Sequence, residues 1–338
     1  MPSPPVKAHE PDLTRLRLGD ERLSNGPKAG WIWACRRGKD GGGAQVRGSW
    51  IRDDGTFDFT QKAVVDGAVS WPHQFNVSIL NGTRIFTTND LPRHRSGVFP
   101  IAPGDDAYLI DRNPNPIQSQ DIHVALPLNP TLAPQPSCAP GAVGILLTGV
   151  VLFNALDALG RDAVAHEVQD DCQGHPQMTG TYHYHSVTSC LEDARLADGH
   201  SALVGYAVDG FGIYGRYGEG GQALASADLD DCHGHIHRIA WDGAQVEMYH
   251  YHGTWDFPYT VGCLRGAYDM ENVRAISGPP QSMARREGRP DLEAAATKLG
   301  IGFEQLRRAL GPPPPDLAAA ASRLGITEQE LRRALGVD

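Results

Sequence analysis

The strongest constraint on this chain is that its middle is written twice. Val143-Gly144-Ile145-Leu146-Leu147-Thr148-Gly149-Val150-Val151-Leu152-Phe153 aligns with Val204-Gly205-Tyr206-Ala207-Val208-Asp209-Gly210-Phe211-Gly212-Ile213-Tyr214 at a constant shift of 61. Asp171-Cys172-Gln173-Gly174-His175 aligns with Asp231-Cys232-His233-Gly234-His235 at a shift of 60, and Tyr182-His183-Tyr184-His185 with Tyr249-His250-Tyr251-His252 at 67. A cysteine closes each copy, at Cys190 and Cys263. Four matching blocks in one order imply gene doubling, and such a chain folds most simply as a pseudo-twofold pair of modules. We expect the modules at about 143–190 and 204–263.

Within each copy the order is strand, turn, strand, Asp-Cys-x-Gly-His, Tyr-His-Tyr-His, cysteine. On a strand the side chains alternate between faces, so His183 and His185 point one way and Tyr182 and Tyr184 the other. His250 and His252 repeat the arrangement. Two imidazoles held in one direction by a sheet suit a single transition metal. The turn adds His175 and His235, and His233 and His237 are extra candidates in the second copy alone. The expected site is one place where the imidazole pairs of the two copies meet. The competing reading is a hydrogen-bonded core ladder, with the histidines tied to Asp170, Asp171, Asp230 or Asp231. Many imidazoles, few carboxylates and no fixed thiolate set point to copper or zinc. His94 and His123 read as ordinary surface or loop histidines.

The six cysteines allow two roles, ligand or disulfide. Each copy contains its own pair, which favours Cys172–Cys190 and Cys232–Cys263 bridges, with Cys35 and Cys138 pairing across the N-terminal part. A loop of this size contributes about 3 kcal/mol through the unfolded state. Disulfides belong to an oxidising compartment, so the expected location is extracytoplasmic, periplasmic or secreted. Residues 1–30 contain no apolar core of a signal peptide, and that expectation therefore carries a leader missing from this chain.

The expected fold class is mainly β: an antiparallel β-rich core with an internal duplication, followed by short C-terminal helical hairpins. Residues 1–28 are polar and proline-rich and are expected to be poorly ordered. The β-rich domain spans 29–275, and its part from Trp31 to about Pro136 reads as antiparallel sheet. There Phe75–Leu80 and Arg84–Thr88 flank Asn81-Gly82, a hairpin signal because both turn residues tolerate positive φ. A linker at 276–290 leads to helical hairpins at 291–311 and 316–336, a 25-residue repeat in which Thr327 and Glu330 form a capping box. The Gly311–Pro315 run is expected to hold the hairpins stiffly apart.

Composition excludes several classes. A formal net charge of −10 argues against nucleic acid as a partner. The tail from 281 to 338 carries nine Lys/Arg against eight Asp/Glu, and Glu328 and Glu330 would face phosphates if its last helix entered a groove. No run of about 18 apolar residues offers a membrane span. Serine-hydrolase, phosphate-loop and zincin motifs are all missing.

Thr181-Tyr182-His183-Tyr184-His185, Gly205-Tyr206-Ala207-Val208-Asp209-Gly210-Phe211-Gly212-Ile213-Tyr214-Gly215 and Met248-Tyr249-His250-Tyr251-His252 resemble the YHYH-domain protein family. Gly97-Val98-Phe99-Pro100 and Asp111-Arg112-Asn113-Pro114-Asn115-Pro116 resemble its upstream blocks. The resemblance covers about residues 45–265 and implies a bacterial, often exported protein; it implies no reaction. Its motif histidines fall on His183, His185, His250 and His252. The expected function is histidine-based transition-metal binding, with no catalytic residue assigned. The rivals are a metalloenzyme, copper oxidase-like or zinc hydrolase-like, and a disulfide-stapled structural protein. The expected partner is a metal ion, with the C-terminal helices as a surface for another protein.

Overall fold

The computed structural model describes residues 11–36, 38, 43–277, 292–311 and 315–337. Its centre is one eight-stranded sheet built from both copies. The first copy supplies β1 (Ala142–Leu146), β2 (Val151–Phe153), β3 (Gly174–Pro176) and β4 (Tyr182–Tyr184). The second supplies β5 (Leu203–Ala207), β6 (Gly212–Tyr214), β7 (Gly234–Trp241) and β8 (Ala244–His252). Their order is β3-β4-β2-β1-β5-β6-β8-β7. The halves meet at an antiparallel β1–β5 pair and run outward in the same sequence, the pseudo-twofold arrangement that the duplication predicts.

Register is duplicated too. His175 stands opposite His183 and His235 opposite His250, while Tyr184 pairs with Leu152 and Tyr251 with Ile213. At the junction the backbones approach closely. A Cβ on Gly144 would stand 2.5 Å from the Tyr206 carbonyl oxygen, and one on Gly205 would stand 2.7 Å from that of Ile145. Ile145, Leu146, Val151, Leu152, Ile213 and Tyr251 are buried in the core around this junction.

A second, three-stranded antiparallel sheet consists of Phe75–Leu80, Thr83–Thr88 and Ile122–Pro127. Asn81 (φ 50°) and Gly82 (φ 74°) make the tight turn that the sequence predicts. Ile122, Val124 and Leu126 alternate inward, and Phe86 packs on Tyr206 with ring centroids 5.2 Å apart. The other described residues of 31–136 are mostly in turns, short strands and single bridges, so sheet runs through less of this part than its composition suggests.

The N-terminal expectation needs correction. Residues 1–10 lie outside the described residues, but from residue 11 the chain is packed. Leu16–Arg17 pairs with Thr56–Phe57, and Asp20 bonds His166 at 2.8 Å. Leu13, Leu16, Leu18 and Leu23 all reach the core, a spaced apolar pattern that a polar average conceals.

Three disulfides join Cys35–Cys138, Cys172–Cys190 and Cys232–Cys263, as the repeat logic expects. Helix Met270–Ile276 ends the β-rich part with Ile276 buried, and the expected linker lies outside the described residues from 278 onward. Helices Leu292–Leu299, Phe303–Leu310, Leu317–Leu324 and Glu328–Leu335 follow, the last with the predicted Thr327–Glu330 capping box. The hairpins are not held apart. Leu306 and Leu310 share one hydrophobic cluster with Ala320, Leu331 and Leu335, because a single hairpin of this size buries too little apolar surface to stand alone. Among the described residues, no helix is long and apolar enough to cross a membrane.

Candidate metal centres

A repeated turn sets the histidines in place. The Asp170 Oδ1 atom accepts from the backbone N–H groups of Cys172 (3.0 Å) and Gly174 (3.1 Å), and Asp230 Oδ1 accepts from Cys232 (2.9 Å) and Gly234 (3.0 Å). The residue before the glycine takes the left-handed conformation in both copies, with φ of 62° at Gln173 and 76° at His233. The chain then enters a strand that carries His175 or His235. The Tyr182 hydroxyl donates to Asp170 Oδ2 at 2.7 Å, and that of Tyr249 to Asp230 Oδ1 at 3.0 Å. These carboxylates therefore hold the turn and the tyrosines rather than the histidines. Of the other two acids in the core-ladder reading, Asp231 accepts from the Ala29 N–H at 3.0 Å, and Asp171 offers its main-chain carbonyl to Ser189.

The imidazoles share the opposite face, as alternation requires, but they form two clusters instead of one. His175, His183 and His185 make the first; His200, His235, His250 and His252 make the second, with ligand atoms within 4.8 Å of one another in each. The expected meeting of the two imidazole pairs fails for a topological reason. Strands β4 and β8 lie five places apart in the sheet, a separation of roughly 24 Å at about 4.8 Å per strand.

In the second cluster, four Nε2 atoms form a closed ring. The separations are 3.2 Å (His200–His250), 3.0 Å (His250–His235), 3.2 Å (His235–His252) and 3.1 Å (His252–His200). Three rings have their other nitrogen committed. Nδ1 donates to the carbonyl of Ser201 from His200 (2.7 Å), of Met248 from His250 (3.1 Å) and of Gly215 from His252 (2.7 Å). A carbonyl only accepts, so in these neutral rings the proton sits on Nδ1 and Nε2 presents a bare lone pair. The 3.1 and 3.2 Å contacts of His200 with His252 and His250 then bring lone pairs together with no proton between them. Four nitrogens bound to one ion at about 2.0–2.1 Å in a tetrahedron would stand about 3.3 Å apart.

The first cluster includes a carboxylate. Glu167 Oε2 lies 3.2 Å from both His175 Nε2 and His185 Nε2. All three atoms are buried without a properly aligned hydrogen bond. The Nδ1 of His185 donates to the Asn154 carbonyl (2.6 Å) and that of His183 to the Thr181 carbonyl (3.3 Å). Here again a bare ring nitrogen, Nε2 of His185, faces an acceptor, an arrangement that costs energy unless a cation or extra proton intervenes.

Burial pushes several of the rings towards the neutral form. It holds His183, His250 and His252 well below the ordinary histidine range, and neighbouring imidazoles push the same way. Burial, helped by His200 and His237, brings His235 down to about 4. His175 is the exception: burial lowers it, but the Glu167 carboxylate outweighs that and raises it overall. Burial would raise Glu167, yet His175 and His185 hold it well below the usual carboxylate range.

All six histidines predicted from the motif thus fall in one cluster or the other. His233 does not, because it occupies the turn position and bonds Thr254 Oγ1 at 3.0 Å. The Nε2 of His237 bonds Glu219 at the edge of the second cluster (2.9 Å). On the tyrosine face, His94 Nε2 accepts a hydrogen bond from the Tyr184 hydroxyl at 2.5 Å, beside the Cys172–Cys190 disulfide. His123 pairs with Asp121 at the surface. Two members escaped sequence reasoning. Glu167 caps the short helix Ala163–His166, and His200 sits in the turn before β5. Neither has a counterpart in the other copy, so the duplication could not point to them.

The fold and its clusters define a duplicated, β-rich histidine-cluster protein. A YHYH domain is present in it: the family model described as YHYH protein matches residues 123–223. The match encloses the whole first cluster but only His200 of the second, a narrower span than the 45–265 of the sequence resemblance. Comparison with curated proteins and with solved structures returns no match.

Proposed function

We propose that this protein binds two transition-metal ions, one in each cluster, without itself performing catalysis. Glu167, His175, His183 and His185 would hold the first, and His200, His235, His250 and His252 the second. The observation that carries the reading is the inward convergence of bare Nε2 atoms whose Nδ1 protons are committed to backbone carbonyls. Such outer hydrogen bonds orient imidazole ligands and raise their basicity. Four protein ligands per centre favour holding an ion over activating water, since catalytic sites keep a position open. Imidazole-rich sets suit zinc or copper. The three disulfides support an extracytoplasmic setting.

Elemental analysis of purified protein tests this. The unaltered chain is expected to carry two equivalents, the double variants H183A/H185A and H250A/H252A one each, and the quadruple variant none. A chelator is expected to lower the melting temperature of the unaltered chain, because an ion bound only by the folded state stabilises it. Equal, negligible metal in the unaltered chain and the quadruple variant, with no chelator effect, would leave the disulfide-stapled structural reading.

A further inference from the structure

The two clusters meet solvent differently at one ligand: His235 is half-buried, whereas His200, His250 and His252 are as deeply buried as the whole first cluster. His175, His183, His185 and Glu167 are 4%, 4%, 2% and 6% exposed. The strand carrying His175 ends at Pro176, and the Gln177 side chain that follows donates to the Ser277 carbonyl at 2.9 Å. In the second copy the equivalent strand runs on to Trp241 and places His237 where the first has Gln177.

His237 is half-buried, as is His235. Its ring lies parallel to that of His200, with centroids 5.5 Å apart and planes 6° apart, and 5.9 Å from that of His235. One nitrogen, Nε2, meets Glu219 Oε2 at 2.9 Å, and that carboxylate side chain is 69% exposed. The other, Nδ1, is buried with no hydrogen-bond partner. A carboxylate in water, a half-buried imidazole and the four-imidazole ring therefore follow one another inward.

We propose that the second cluster is an exchangeable metal station, loaded and emptied through Glu219 and His237, whereas the first is occluded. The proposal rests on the two-ion reading above. A hydrated cation sheds its waters at least cost when protein ligands replace them one at a time. Glu219 supplies the charge that attracts the ion, and His237 supplies a nitrogen before the final four are reached. The first cluster has a glutamine bonded elsewhere at the matching position, so its ion leaves only when the structure opens locally.

Release kinetics test this on the full chain. The protein is loaded with Zn(II), freed of excess metal and mixed with a large excess of a chromogenic chelator. One equivalent is expected to leave quickly and the second at least about tenfold more slowly. H250A/H252A is expected to abolish the fast phase, and H183A/H185A the slow one. H237A is expected to keep two equivalents while slowing the fast phase about tenfold, and E219Q to slow it by less. Release of both ions in one phase overturns the proposal while leaving the two-ion reading intact. So does a fast phase that survives in H250A/H252A, or an H237A rate unchanged or increased. A chain that binds no zinc overturns both.

Discussion

Two glycines show how closely the turn and the tyrosines are fitted. A Cβ on Gly174 would stand 2.2 Å from the Tyr182 ring, and one on Gly234 would stand 2.4 Å from the Tyr249 hydroxyl oxygen and equally close to the His250 carbonyl. Neither glycine adopts positive φ, so the demand is for space alone. G174A and G234A should each lower stability by about 2–3 kcal/mol, the usual result of overpacking a filled site. G104A, at an exposed position with nothing within 4 Å of the added carbon, should change it by less than about 0.5 kcal/mol. Urea denaturation of the three variants checks this. Equal midpoints would mean that the tyrosine rings move aside freely.

Each turn is tied down by a disulfide whose second cysteine lies beyond the Tyr-His-Tyr-His strand. Cys172 and Cys190 are 18 residues apart, Cys232 and Cys263 are 31 apart. Closing loops of this length restricts the unfolded chain and is worth about 3 kcal/mol apiece. The bridge also keeps the strand carrying His175 beside the one carrying His183, or His235 beside His250. C172S/C190S is therefore expected to lose about 3 kcal/mol of stability and to weaken metal binding at the first cluster while leaving the second unchanged. Calorimetric zinc titration separates these effects. Equal weakening at both clusters would show that the bridge stabilises the whole sheet rather than its own module.

Among the described residues there are two hydrophobic cores. One surrounds the duplicated sheet and the other lies among the four C-terminal helices, with Leu306 and Leu331 fully buried in it. All eight candidate ligands lie in the chain segment that forms the duplicated sheet, not in the helices. A chain ending at Ser277 should accordingly retain two metal equivalents and the main thermal transition, as elemental analysis and calorimetry would record. Loss of either ion would mean that the helices complete a site.

Much of the architecture was legible because duplication leaves a record in residue order. The matched blocks predicted paired modules, alternation predicted histidines on one face and tyrosines on the other, and the cysteine placed in each copy predicted its bridge. What the residues could not reveal was distance across the sheet. Whether the copies join through their first strands or through their histidine strands depends on which edges find hydrogen-bond partners, and the β1–β5 junction sends the two histidine pairs to separate ends. Glu167 and His200 stayed hidden for a related cause: one ends a single-turn helix and the other lies in irregular chain before β5, and neither setting carries a periodic signal. Local pattern follows from backbone geometry, which every residue obeys alone, whereas a coordination shell is completed by groups that only packing brings together.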